Sequence, residues 1–184
     1  MNILKSFDEY KNSINLSLSN ISANQLNQTV KLINHTVKKN GKVYIVGNGG
    51  SASIASHVSV DMAKIARIPS STFNNSNLIT CFANDYGYEN WVTEAIKAYM
   101  QKNDLIILIS SSGKSKNIVN AAKYCKKKSI NSITLSGFKK NNPLSRLGKV
   151  NFHINSDQYN FVEMSHHIIL LYFVDLFAKN KLKL

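Results

Sequence analysis

Two short turns and two helical pairs hold most of the chemistry available to this chain. The segment KVYIVGNGGSASIASHVSVDMAK, residues 42–64, runs from an apolar strand through a Gly/Ser turn into a helix, on which His57 and Asp61 stand four residues apart. The segment LIILISSSGKS, residues 105–115, repeats the pattern of strand, serine-rich turn and helix start. Glycines permit a left-handed backbone and close approach of a ligand, and a helix start turns free N–H groups towards an anion. Serine hydroxyls added to such amides make a polar cup suited to one phosphate group. A third segment, FVEMSHHIILL (161–171), sets Glu163 and His167 on one helical face with His166 flanking it. Two helices that each present a carboxylate and an imidazole suit either a zinc site or an acid/base pair. A His/Asp pair at this spacing is in itself an ordinary helix-surface contact. What favours function is its place beyond a phosphate-type turn, together with two adjacent histidines in an apolar helix, where polar groups need partners.

Neither turn carries a nucleotide signature. GNGGSA satisfies a loose G-x-G-x-x-A after a strand, but the next strand candidate ends in STFNN, with no Asp or Glu to hold a ribose. SGKS resembles the end of a P-loop, yet the glycine required five residues before Gly113 is Leu108. No nucleotide cofactor is expected.

The elements that must position these groups alternate along the chain. Helical spacing of apolar residues predicts helices over 3–19 and 22–40, with Ser19 or Asn20 as a cap between them, and then over 53–66, 87–101, 115–128 and about 160–180. Strand candidates are 42–47, 70–74, LITCFA at 78–83, 105–110, 132–137 and 150–155. LIILIS is apolar on both faces, which suits a parallel strand covered by helices on each side. The alternation predicts a doubly wound α/β sheet, preceded by a helical hairpin at 1–40 whose broad apolar stripe suits a subunit interface. Ligands of such sheets bind beyond the carboxyl ends of the strands, where both turns fall.

Composition narrows the class. The 184 residues form one domain, 1–184, large enough to bury a core without staples. Cys81 and Cys125 have no metal or redox spacing and point to a reduced, cytoplasmic chain. The N-terminus lacks the apolar run of a signal peptide, and a soluble protein with no membrane partner is expected. The net charge of +13 would attract an anion, but the lysines are scattered, and only Arg67 and Arg146 supply the forked donors preferred for nucleic acid. No nucleic-acid partner is expected.

GNGGSAS and ISSSGKS, with FANDYGYEN between them and SITLSG after, resemble the sugar isomerase (SIS) domain family, and within it the phosphoheptose isomerase group. The resemblance covers essentially the whole chain. It implies a mostly parallel five-stranded sheet flanked by helices, a homotetramer with sites shared between subunits, and interconversion of sedoheptulose 7-phosphate with a glycero-manno-heptose 7-phosphate, feeding lipopolysaccharide, capsule or another heptose-containing glycan. It further implies that Ser51, Ser110, Ser111, Ser112 and Ser115 hold the sugar phosphate, that Asn48 and Gly49 approach the sugar, and that Asn84 and Asp85 line the pocket. His57 matches a histidine that binds zinc in metal-containing members, and Asp61 stands where the group has a catalytic glutamate. The group's last helix carries a Gln-Glu pair and a histidine eight residues after the Gln. With Glu163 aligned to that glutamate, Val162 and Leu170 replace the other two. Aligning Gln158 with the Gln instead puts His166 at the histidine position, but sets Gln158 close to the end of a strand.

An aldose–ketose isomerisation passes through an enediol, so one group must take and return a carbon proton while another stabilises the oxygen. Asp61 or Glu163 is expected as the base, with His166 or His167 as its partner, and His57, Asp61, Glu163 and His167 as the set for a zinc ion. An isomerase of another sugar phosphate, or a non-catalytic sugar-phosphate-binding protein acting through a protein partner, would use the same serine turns.

Overall fold

The structure, a computed structural model, describes residues 2–181. Its centre is a five-stranded sheet of order β2-β1-β3-β4-β5, with β1 at Val43–Val46, β2 at Ser70–Thr72, β3 at Leu105–Ser110, β4 at Asn131–Ser136 and β5 at Val150–His153. Every pairing is parallel. All six residues of β3 are buried. Their alternation sends Leu105, Ile107 and Ile109 to one core layer and Ile106 and Leu108 to the other, as a strand covered on both faces requires.

The first layer is roofed by α2 (Ala23–Lys38), α3 (Gly50–Lys64) and α7 (Tyr159–Lys181), and the second by α4 (Ser76–Tyr86), α5 (Trp91–Tyr99) and α6 (Lys116–Lys127). On α7, Val162, Ile169, Leu170, Phe173 and Val174 are buried in the core, each contributing roughly 1.5–3 kcal/mol of burial. α7 is also long and apolar enough to cross a membrane by length and composition, but this apolar side is spent on α3 and the sheet.

Three expectations are corrected. LITCFA is not a strand but the middle of α4: Asn75 caps it by accepting from the Asn77 N–H, and Leu78, Ile79, Phe82 and Ala83 turn one face to the second core. The cap before α2 is Ser22, in a reciprocal box with Gln25, rather than Ser19 or Asn20. The first two helices do not close on each other as a hairpin. α1 (Ile3–Leu18) lies along α7, joined by the Ser17–Ser165 hydroxyl pair at 2.6 Å, whereas α2 covers β5.

Candidate active site

Both serine turns emerge at the carboxyl edge of neighbouring strands, β1 and β3, and face each other across a cleft of about 250 Å³. Gly49 enters α3 at φ 54° and ψ −124°, a conformation suited to glycine, and offers no side-chain cap. At Gly50 the Glu163 carboxylate comes so close that an added Cβ would displace it. α6 likewise starts at Ser115 with no side-chain cap. The first turns of α3 and α6 hold no acidic residue, so two helix starts are available to an anion.

The hydroxyls between them are already mutually arranged. Ser51 lies 3.4 Å from Ser111, Ser110 donates to Ser115 at 3.0 Å, and Ser112 accepts from the Lys114 N–H at 3.3 Å. Ser51, Ser110 and Ser111 are buried. All five expected phosphate residues therefore line one cleft, with Asn48 and Gly49 at its mouth and Tyr159 and Glu163 of α7 along its wall. Ser111 donates to Glu163 at 3.4 Å.

The sequence motifs did not single out two supporting residues. Asn117, buried in α6, exchanges two 2.9 Å amide hydrogen bonds with Asn48 and so fixes its orientation. Asn74 grips the first turn by accepting from the Gly47 N–H at 3.2 Å and donating to its carbonyl at 2.8 Å. Of the two asparagines of STFNN, notable in the sequence for not being acidic, Asn74 is this brace and Asn75 caps α4. A search for amides at the ends of strands next to a glycine turn would have found Asn74; Asn117 needed the tertiary contact.

One helical turn further along α7, His167 reaches α3. Its Nε2 is 3.0 Å from Nδ1 of His57, and Nε2 of His57 is 3.1 Å from Oδ2 of Asp61. The two rings meet edge-on with centroids 4.9 Å apart. Burial, and then His57, hold the His167 imidazole below the ordinary histidine value, while Asp61 pulls it the other way.

Several expected site residues fall elsewhere. His166 is wholly buried, with Nε2 3.2 Å from the Ser136 carbonyl, and burial pushes its imidazole down to about 4. It is a neutral core histidine, because a 100° step along α7 turns it from the open face to the sheet. Asn84 and Asp85 are exposed near the end of α4, where Asn84 donates to Asp85 at 3.0 Å, and they do not line the cleft. The helix that replaces the expected strand turns them outward, and Tyr88 instead donates to Asn48 at 3.3 Å.

Of the residues expected to bind zinc, His57, Asp61 and His167 meet in one cluster and Glu163 lies one helical turn before His167 on α7. His57 meets Asp61 through one ring nitrogen and His167 through the other, the pattern in which a carboxylate orients a histidine whose second nitrogen faces a further donor. Glu163 is engaged with Ser111. Among the described residues no three His, Cys, Asp or Glu side chains are placed to share a metal. Val162 and Leu170, at the last-helix positions where the phosphoheptose isomerase pattern has Gln and His, are buried core residues.

Residues 9–137 match the SIS domain family. The chain is 35% identical over 141 residues to a phosphoheptose isomerase of Helicobacter pylori, covering 73% of each chain. It is 31% identical over 162 residues to one of Sulfurimonas denitrificans, covering 85% of this chain and 83% of that one. The fold matches the structure of a phosphoheptose isomerase from Neisseria gonorrhoeae with a TM-score of 0.84 at 20% identity, over 96% of this chain and 99% of the other.

Proposed function

The chain belongs to the SIS domain family, in its phosphoheptose isomerase group, and from that premise we propose that it is an aldose–ketose isomerase that interconverts sedoheptulose 7-phosphate and D-glycero-D-manno-heptose 7-phosphate. The observation that carries this reading is the placement of a serine cleft at the starts of α3 and α6 and, further along α3, of a carboxylate–imidazole cluster shared with α7. Ser51 in the cleft and His57 in the cluster are six residues apart on α3, about 9 Å along its axis. That separation is of the order of an extended seven-carbon chain. The phosphate held by the serines is a remote anchor whose binding energy places C1 and C2 at the cluster.

The same reading includes an assembly. α1 exposes Ile3, Leu4, Phe7 and Leu16, and α7 exposes Met164, Ile168 and Tyr172, an apolar surface suited to the homotetramer of this group. A cytoplasmic enzyme supplying a heptose-containing glycan, lipopolysaccharide or capsule, fits a reaction that uses a free sugar phosphate. One observation favours a second reading, a non-catalytic sugar-phosphate-binding protein: the buried Val162 and Leu170. Incubation with sedoheptulose 7-phosphate in D₂O separates the two. The isomerase incorporates deuterium at C1 or C2 and forms aldoheptose phosphate; binding without exchange supports the second reading.

A further inference from the structure

We propose that Tyr88 and Asn117 clamp the Asn48 side chain so that it offers the cleft an N–H donor and no acceptor, which makes Tyr88 a positioning residue that selects a sugar phosphate with an oxygen lone pair at the cleft mouth. The inference rests on the sugar-phosphate reading of the cleft and deepens it. An asparagine amide has two N–H donors and an oxygen with two lone pairs. On Asn48, one N–H donates to Oδ1 of Asn117 at 2.9 Å, while Oδ1 accepts from Nδ2 of Asn117 at 2.9 Å and from the Tyr88 hydroxyl at 3.3 Å. Both lone pairs are thereby used, and the second N–H is the capacity that remains. Asn48 lines the cleft, so this N–H is what its side chain can give a ligand.

The clamp is built into the elements around it. Asn117 is buried on α6, where an amide left without partners is costly, and Asn48 satisfies it on both sides. Three residues on, along the same helical face, Asn120 donates to the Glu89 carbonyl at 3.1 Å. Asn90 donates to the Tyr86 carbonyl at 3.0 Å, and Gly87 takes a φ of 82°. These contacts hold the turn of residues 87–90, between α4 and α5, so that the exposed Tyr88 reaches Asn48. α6 therefore starts at the serine cup and, within its first two turns, carries the amides that set Asn48 and the turn bearing its tyrosine.

Reversing both amides would keep the two bonds between Asn48 and Asn117 but change what the cleft meets. Nδ2 of Asn48 would then have to donate to the phenol oxygen, and a free lone pair of Oδ1 would face a cleft whose two helix starts attract anions. A carbonyl lone pair opposite a ligand oxygen is repulsive unless that oxygen carries a proton. Donation by Tyr88 sets the opposite polarity, in which a hydroxyl or carbonyl oxygen of the sugar finds a donor waiting. The phosphate itself is served by the serine cup, so the Asn48 donor falls to the sugar.

Side-chain ¹⁵N NMR of the resting protein reads the clamp without a substrate. One Asn48 Nδ2 proton protected from solvent exchange and the other exchanging freely would support it; two protected protons would reveal the reversed amide and overturn it. Titration with sedoheptulose 7-phosphate and, separately, with inorganic phosphate tests the role in binding. Tyr88→Phe keeps the ring on an exposed turn, so the fold is retained, and it should weaken the sugar phosphate about two- to tenfold while inorganic phosphate binds as before. In turnover the same variant should raise KM and keep kcat. Asn117→Ala, which frees the whole Asn48 amide, should weaken the sugar phosphate more than Tyr88→Phe does. Equal weakening of both ligands in Tyr88→Phe would mean that Tyr88 only supports the turn, and unchanged affinity for the sugar phosphate would remove it as a positioning residue; either result overturns the proposal. Absence of deuterium exchange in the wild type, with one free Asn48 proton and selective weakening in Tyr88→Phe, would sink the isomerase reading and leave the clamp standing.

Discussion

In the serine cleft the donors are backbone amides and short hydroxyls, rooted in two strand-to-helix turns and partly buried. In the His57–Asp61–His167 cluster they are longer titratable side chains on two helix faces, with His57 half exposed at 52%. The cleft is preorganised by its own turns and by Asn74 and Asn117; the cluster exists only where α7 crosses α3. The difference separates two tasks. A phosphate is held by many fixed dipoles that need no proton of their own, whereas proton transfer needs one group whose lone pair is free and aimed.

The sharpest way to break this division is at the cluster. His167→Gln should cost about 10²–10⁴ in kcat while leaving KM within about twofold, measured by steady-state turnover of the heptose phosphate. A rise in KM with kcat intact would place His167 in binding and merge the two regions.

The neighbouring histidine supplies a contrast through stability. His166 has an unfolded value near 6.5 and a folded value of about 4, so the unfolded chain binds the extra proton between those pH values. Stability is therefore full above about pH 6.5 and declines as the pH falls towards 4, by about 3 kcal/mol in all. Urea titrations across that range should show the decline, and a His166→Leu variant should flatten it. Were the slope unchanged in the variant, His166 would not be the neutral buried group described.

At the cleft, Ser115→Ala removes a hydroxyl from the phosphate cup. A hydrogen bond to a charged group contributes about 1.5–3 kcal/mol, so substrate affinity should fall by roughly ten- to a hundredfold, read by calorimetry, with kcat nearly unchanged. A variant that loses kcat alone would show that the cup takes part in the chemistry. The smallest effect is expected from Gly49→Ala, where nothing lies near an added Cβ but φ is 54°. The strained backbone should lower stability by about 1–3 kcal/mol in a urea melt, and no loss would mean that the turn tolerates another conformation.

The two regions were unequally legible. The cleft could be read because strand, glycine and serine follow one another along the chain, and Ser51, Ser110, Ser111, Ser112 and Ser115 all arrive where that order puts them. The cluster was half legible: i,i+4 spacing paired His57 with Asp61, but nothing local distinguished His166 from His167. The element just before Asn84 and Asp85 was misread for a related reason. The short apolar run LITCFA fits a strand or a helix equally, and the Asn75 cap and the second core decide for the helix.

By itself, then, the order of residues determined the parallel α/β sheet, the two turns at its carboxyl edge and the hydroxyls that fill them, because these depend on backbone preferences and on neighbours within a few positions. Tertiary structure alone decided that His167 meets His57, that His166 is sealed under β4, that Glu163 faces Ser111, and that Asn117 holds Asn48. Those contacts join residues tens to more than a hundred positions apart, and the side that each helix turns inward is set by how its whole apolar face packs against the sheet.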